Sequence, residues 1–110
     1  MSLTLYGLKN CDTCKKALKA LEAAGKVVTF VDIRAEADLP ALLPGWLEAA
    51  GEDVLINRRS TTWRNLSDAD RGRDPLALLS EHPTLIKRPV IEAGDDVHVG
   101  WAKATQHVLL

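Results

Sequence analysis

The chain has 110 residues and a mass of 12.0 kDa, the length of one small domain with one core. Its 46% apolar and 26% charged residues exclude a disordered chain, and a net charge of −1 removes the basic excess expected of a nonspecific nucleic-acid binder. No apolar run approaches the roughly 20 residues that cross a bilayer, and Met1-Ser2-Leu3-Thr4-Leu5-Tyr6 lacks the cationic and long apolar stretches of a secretory signal. The expectation is a cytoplasmic protein with no membrane partner and no direct contact with nucleic acid.

In chain order, Leu3-Thr4-Leu5-Tyr6 alternates apolar and polar residues up to Gly7, the pattern of a short strand. After the turn Gly7-Leu8-Lys9-Asn10, Cys14, Ala17, Leu18, Leu21 and Ala24 recur at helical spacing. Asn10 or Asp12 is the expected cap of this helix and Gly25 its stop. The β-branched run Val27-Val28-Thr29-Phe30-Val31 follows, so the first thirty-odd residues read as one βαβ unit with parallel strands and a right-handed crossover.

The middle is less regular. Pro40 opens a helix expected to reach Ala50 and stop at Gly51, while Pro44 inside it predicts a late start or a kink. Helical turns are expected at 53–57 and 61–66, and a clearer helix from Asp74-Pro75 through Leu79, ending before His82-Pro83. Thr84-Leu85-Ile86 is strand-like, and Pro89-Val90-Ile91-Glu92 and Val97-His98-Val99 form a hairpin across Ala93-Gly94-Asp95-Asp96. A short helix over 102–110 closes the chain. The order predicts an α/β protein with a four-stranded mixed sheet, one domain over 1–110 carrying a helical insertion at about 37–82. Nothing in the pattern signals an oligomer, so a monomer is expected.

The chain has two cysteines, Cys11 and Cys14. A bond between them closes a loop of about four residues and adds little stability by chain entropy, so the pair is better placed for chemistry than for structure. A free thiol of pKa about 8.5 is only about 3% thiolate at pH 7. Cys11 at a helix start faces orphan amides and the positive end of the macrodipole, an effect worth up to about 2 kcal/mol toward the anion. Lys15 and Lys16 add positive charge there and Asp12 opposes it. Residues three apart at a helix start are about 5–6 Å apart at Cβ, near the 3.5–4.5 Å of a disulfide. Cys11 is therefore the candidate nucleophile, and Cys14, on the inner stripe, the candidate resolving thiol, more buried and less acidic. The plain alternative is two cysteines packed as small hydrophobes. A metal site needs two more ligands, and His82, His98 and His107 lie far downstream without ligand-pair spacing, so no metal is expected.

Arginine suits oxyanions and carboxylates through paired hydrogen bonds, which marks Arg58, Arg59 and Arg88 as candidate anion contacts. Each is otherwise a solvated surface charge. Pro89, between strand-like segments, is confined to an edge or bend. Trp63 and Trp101 are expected to pack rather than to hold a ligand.

Taken together, Tyr6-Gly7, Cys11-Asp12-Thr13-Cys14-Lys15-Lys16-Ala17, Asn57-Arg58-Arg59-Ser60-Thr61-Thr62-Trp63-Arg64 and His82-Pro83-Thr84-Leu85-Ile86-Lys87-Arg88-Pro89 resemble the ArsC/Spx family, within it the YffB-like branch, over essentially the whole chain. The resemblance implies a thioredoxin-like fold with an inserted helical subdomain, and a cis bond at Pro89 facing the active cysteine. In arsenate reductases of that family one cysteine attacks arsenate, three arginines hold the oxyanion, and glutathione with glutaredoxin completes turnover. Cys11 matches the nucleophile and Arg88 the arginine before the proline. Arg59 lies close to another, within a residue or two of register, and Asn10, Lys15 and Arg58 are adjoining candidates. The third arginine belongs just past the hairpin turn, where this chain has Val97-His98-Val99-Gly100, and the histidine shortly before the cysteine is replaced by Gly7. Losing one of three charge-assisted contacts weakens transition-state binding of arsenate by about 2 kcal/mol or more.

The resemblance thus implies a glutathione-dependent thiol–disulfide reductase with no bound cofactor and glutathione as co-substrate, with glutaredoxin as a further candidate partner. Arsenate reduction is the first alternative. A Spx-like redox-sensing regulator that binds RNA polymerase is the second.

Overall fold

In the computed structural model, which describes residues 2–110, strand β1 (Ser2–Gly7) lies parallel to β2 (Val27–Asp32), joined by helix α1 (Asp12–Ala23). The helix ends in a Schellman turn. Gly25, at φ +83°, donates to the Glu22 carbonyl and Lys26 donates to the Leu21 carbonyl, a closure that needs a residue free of Cβ strain. The N-terminal expectation is corrected: the cap residue is Cys11 itself, and neither Asn10 nor Asp12 takes that place.

Strands β3 (Val90–Ala93) and β4 (Asp96–Val99) complete a mixed sheet of order β2-β1-β3-β4, with β3 antiparallel to both of its neighbours. Their hairpin has two loop residues with Gly94 first, at φ +62°. Alternation puts Leu3 and Leu5 of β1 and Ile91 and Ala93 of β3 on one face, where they pack with Cys14, Ala17 and Leu21 of α1. Leu109 of the closing helix α7 (Lys103–Leu109) joins the same cluster, and Trp101 packs on its edge as expected. A leucine buried as fully as Leu21 contributes about 2 kcal/mol over an exposed one.

The chain divides into two compact units. One is this sheet unit, the described part of Met1–Ala37 with Arg88–Leu110, and the other is Asp38–Lys87. The second contains α2 (Leu39–Ala50), α3 (Glu52–Leu55), α4 (Thr61–Arg64), α5 (Asp68–Arg71) and α6 (Pro75–Glu81). Helices α2 and α6 pack together, and Leu43, Trp46, Leu78 and Leu79 are buried.

Two expectations are corrected here, and one helix is added. Helix α2 starts at Leu39 and runs through Pro44. The proline removes the donor to the Pro40 carbonyl and crowds it with its ring, and both prolines are exposed. Thr84-Leu85-Ile86 is not a strand: Pro83–Leu85 is a 3-10 turn, and Ile86 makes an isolated antiparallel bridge to Ile56. Helix α5 was not expected at all, because one turn is too short to show a period.

Candidate active site

The end of β1 and the start of α1 bring the two cysteines together. Residues 8–10 form a tight loop closed by the Cys11 N–H donating to the Leu8 carbonyl at 3.1 Å, and the Lys15 N–H begins the helix by donating to the Cys11 carbonyl at 3.0 Å. Cys11 is thus the N-cap, with extended backbone and a partly exposed thiol. Cys14, two residues inside the helix, points into the core and is 1% exposed. Both are free thiols.

Their electrostatics differ. Burial pushes the Cys11 thiol up, but its neighbours outweigh that and hold it below the ordinary range. The Cys14 amide faces its sulfur without closing a full capping hydrogen bond, the Cys14 thiol donates to it, and the Arg88 guanidinium supplies a donor and a positive charge. The lowering expected of a helix start is present. The charge responsible is that of Arg88, not of Lys15 or Lys16, which are exposed side chains.

Cys14 moves the other way, up to about 12. Burial is the main cause, reinforced by the hydrogen bond and charge of Cys11 and opposed by the Leu8 amide and Arg88. It is the more buried and less acidic thiol, as its place on the inner stripe implies.

Arg88 reaches this site from the far end of the chain, with Pro89 next to it in sequence. The Arg88–Pro89 bond is cis, and the Pro89 carbonyl accepts from the Gly100 N–H at 2.8 Å, which ties the loop to the end of β4. Asn10 is exposed in the loop before Cys11, and no hydrogen bond or charge links it to either sulfur.

Arg58 and Arg59 belong to the helical unit. Arg58 pairs with Asp53 at 2.9 Å and stacks on Trp63 with its guanidinium 5.4 Å from the ring centroid. Arg59 is exposed, its N–H donating to Asn57 Oδ1 at 3.2 Å. Both line an open depression of about 340 Å³ whose wall also includes Asn57, Ile56 and Lys87. Trp63 packs between Arg58 and Arg71, whose guanidinium lies 5.6 Å from the ring.

Two features escaped the sequence reasoning. The buried Tyr6 hydroxyl is pushed up to about 12, first by burial and then by Glu92, to whose carboxylate it donates. Nothing in the sequence pairs these residues, which lie on neighbouring strands. In the sequence Gly7 marked a strand end and the place of a missing histidine. In the fold its backbone runs against Cys14, and a Cβ there would lie 2.5 Å from the sulfur. Among the described residues, no group of three His, Cys, Asp or Glu side chains is placed to hold a metal ion, and no helix is long and apolar enough to cross a membrane.

Comparison with known proteins supplies the context. The model of the ArsC family matches residues 6–107. An uncharacterized protein of Haemophilus influenzae is 46% identical over 104 residues, covering 90% of both chains. The structure of a protein named YFFB (PA3664) is similar at a TM-score of 0.87, 32% identical over 98% of both chains. An arsenate reductase (ArsC) related protein from Brucella melitensis is 36% identical at a TM-score of 0.78, over 98% of this chain and 93% of that one. The shared arrangement, a mixed four-stranded sheet with helices, is the thioredoxin-like ArsC fold.

Proposed function

Since the chain belongs to the ArsC family, whose fold is that of arsenate reductase-like proteins, we propose that it is a glutathione-dependent thiol–disulfide reductase. The observation that carries this reading is the Cys11 sulfur, partly exposed at a helix start and held toward its anion by Arg88 and by Cys14. The thiolate, not the thiol, attacks a disulfide.

In the proposed reaction Cys11 attacks the glutathione sulfur of a mixed disulfide. A bond forms between Cys11 and glutathione, the substrate sulfur leaves with the electron pair, and a proton completes the released thiol. Cys14 then attacks the Cys11 sulfur, the Cys11–glutathione bond breaks, and glutathione leaves as its thiolate. Two further glutathiones reduce the Cys11–Cys14 disulfide and become oxidised glutathione. The raised Cys14 suits the second step. Burial persists, but the hydrogen bond and charge of Cys11 vanish once that sulfur is in a disulfide, while the Leu8 amide and Arg88 still favour the Cys14 anion. Cys14 therefore becomes more acidic when it is needed.

Pro89 is assigned to shaping the groove beside Cys11. Arg59, on the family resemblance, is assigned to a carboxylate of the co-substrate. Loss of a hydrogen bond to a charged group costs about 1.5–3 kcal/mol, so Arg59→Ala should raise KM for glutathione by about tenfold or more. The positions just past the hairpin turn, Val97 to Gly100, hold no arginine, which places arsenate second.

The test is turnover of a glutathione mixed disulfide and of arsenate, each with glutathione and glutaredoxin present, and with Cys11→Ser as control. Disulfide turnover that disappears in Cys11→Ser supports the reading. Arsenate turnover exceeding it reverses the ranking. Inactivity on both, together with redox-dependent capture of RNA polymerase, makes the chain a regulator.

A further inference from the structure

Gly7 closes β1 without needing a glycine's backbone freedom, since its φ is not positive. Space is what it supplies. A Cβ built there would lie 2.5 Å from Cys14 Sγ and 3.2 Å from Cys14 Cβ, where non-bonded atoms of this size settle at about 3.5–4.0 Å.

Neither side of this contact yields easily. Gly7 is paired with Asp32 on β2, and its carbonyl accepts from the Ile33 N–H at 3.0 Å. Cys14 is anchored in the first turn of α1 and packs in the cluster that holds Leu5, Ala17 and Ile91. A cysteine has one side-chain torsion that moves its sulfur. Driven from its well, the sulfur takes one about 120° away and travels about 3 Å, more than the length of the S–S bond it is to form.

We infer that Gly7 is a positioning residue for the disulfide step: its missing side chain leaves the niche that holds Cys14 Sγ beside Cys11, and filling the niche parts the two sulfurs. The inference rests on the proposed role of Cys14 as the resolving thiol. The Leu8 amide that faces the Cys14 sulfur follows Gly7 directly, so one backbone segment both makes room for the sulfur and offers its anion a donor. The step affected is attack of the Cys14 thiolate on the Cys11 sulfur, with glutathione leaving as its thiolate and taking up a proton. The first attack, by Cys11 on glutathione disulfide, depends on the niche only through the hydrogen bond that Cys14 donates to Cys11.

The experiment treats reduced wild type and Gly7→Ala with glutathione disulfide, quenches with acid at intervals, and follows the species by intact mass. Wild type should pass through a glutathione adduct to the internal disulfide. Gly7→Ala should form the adduct at most a few-fold more slowly, through loss of the hydrogen bond that Cys14 donates to Cys11, and resolve it about tenfold or more slowly, because the displaced sulfur must return to its niche before it can attack. If wild type itself stops at the adduct, the resolving role of Cys14 fails and the inference with it. If wild type closes and Gly7→Ala closes equally fast, the inference alone is overturned.

A second measurement stands even where Gly7→Ala folds poorly. Alanine is intrinsically the better strand residue, so a loss of stability at this site reports crowding, by the Cys14 sulfur at 2.5 Å first and by Cys14 Cβ and Leu5 Cδ2 at 3.2 and 3.4 Å after it. Denaturant midpoints of Gly7→Ala with and without Cys14→Ala should show more than half of the penalty removed when the sulfur is absent. Equal penalties in both backgrounds overturn the inference.

Discussion

The sheet unit and the helical unit keep their functional side chains in place by different means. In the first, strand ladders and a buried cluster of Leu3, Leu5, Leu21 and Ile91 hold the backbone that carries Cys11, Cys14, Arg88 and Pro89. In the second, α3, α4 and α5 are four residues each, far below the length at which helices persist alone. Polar contacts finish their ends. Ser60 accepts from the Trp63 N–H and Ser67 from the Asp70 N–H, each at 3.1 Å, while Arg71 donates to the carbonyls of Trp63 and Arg64. Reacting sulfurs thus sit on packing, and the exposed Arg58 and Arg59 sit on loops and caps. Damage to the first should be large and cooperative. Damage to the second should be small and local.

The largest expected effect is in the sheet cluster. Leu5→Ala, at a fully buried position of β1, should cost about 3 kcal/mol in denaturant unfolding, and a loss below about 1 kcal/mol would break the comparison.

Next is alkaline titration. Cys14, raised from 9.0 to about 12, and Tyr6, raised from 10.0 to about 12, both hold their protons more tightly folded than unfolded. Their contribution is intact below the unfolded values and is lost as pH rises toward 12. Cys11 has the opposite sign: its contribution is present above its unfolded value and is lost as pH falls through its lowered one. Unfolding midpoints should therefore decline from about pH 9 upward, and Cys14→Ser should flatten the part below pH 10. A decline identical in the variant would remove the buried thiol from the account.

In the helical unit, Ser60→Ala and Ser67→Ala should each cost about 1 kcal/mol, the usual worth of an N-cap. The smallest effect is Asp53→Ala. Its pair with Arg58 is exposed, and loss should stay below about 1 kcal/mol in the same assay.

The same contrast governs what could be read from the sequence. Apolar alternation in Leu3 to Tyr6 and in the hairpin marked the strands, because a period of two follows from the pleat alone. Asp74-Pro75 marked the start of α6, where Asp74 accepts from the Ala77 N–H. Helix α5 and the turn at Pro83 were missed, since single turns carry no period and tertiary neighbours decide whether they form. At the site, the cysteine pair and Arg88 were legible from motif and order. The cap was misread, because cysteine is a weak capper and Asn10 and Asp12 are better ones by type. Chain position brought Cys11 to the cap despite them.

Three-residue spacing was enough to place two sulfurs within one helical turn, for that follows from helix geometry whatever surrounds it. That one became acidic and the other reluctant to ionise was decided only by folding. Arg88 reaches Cys11 from the segment just before β3, and the core closes over Cys14 against Gly7. Spacing is a local property, whereas charge and solvation are set by whatever distant chain arrives at the atom.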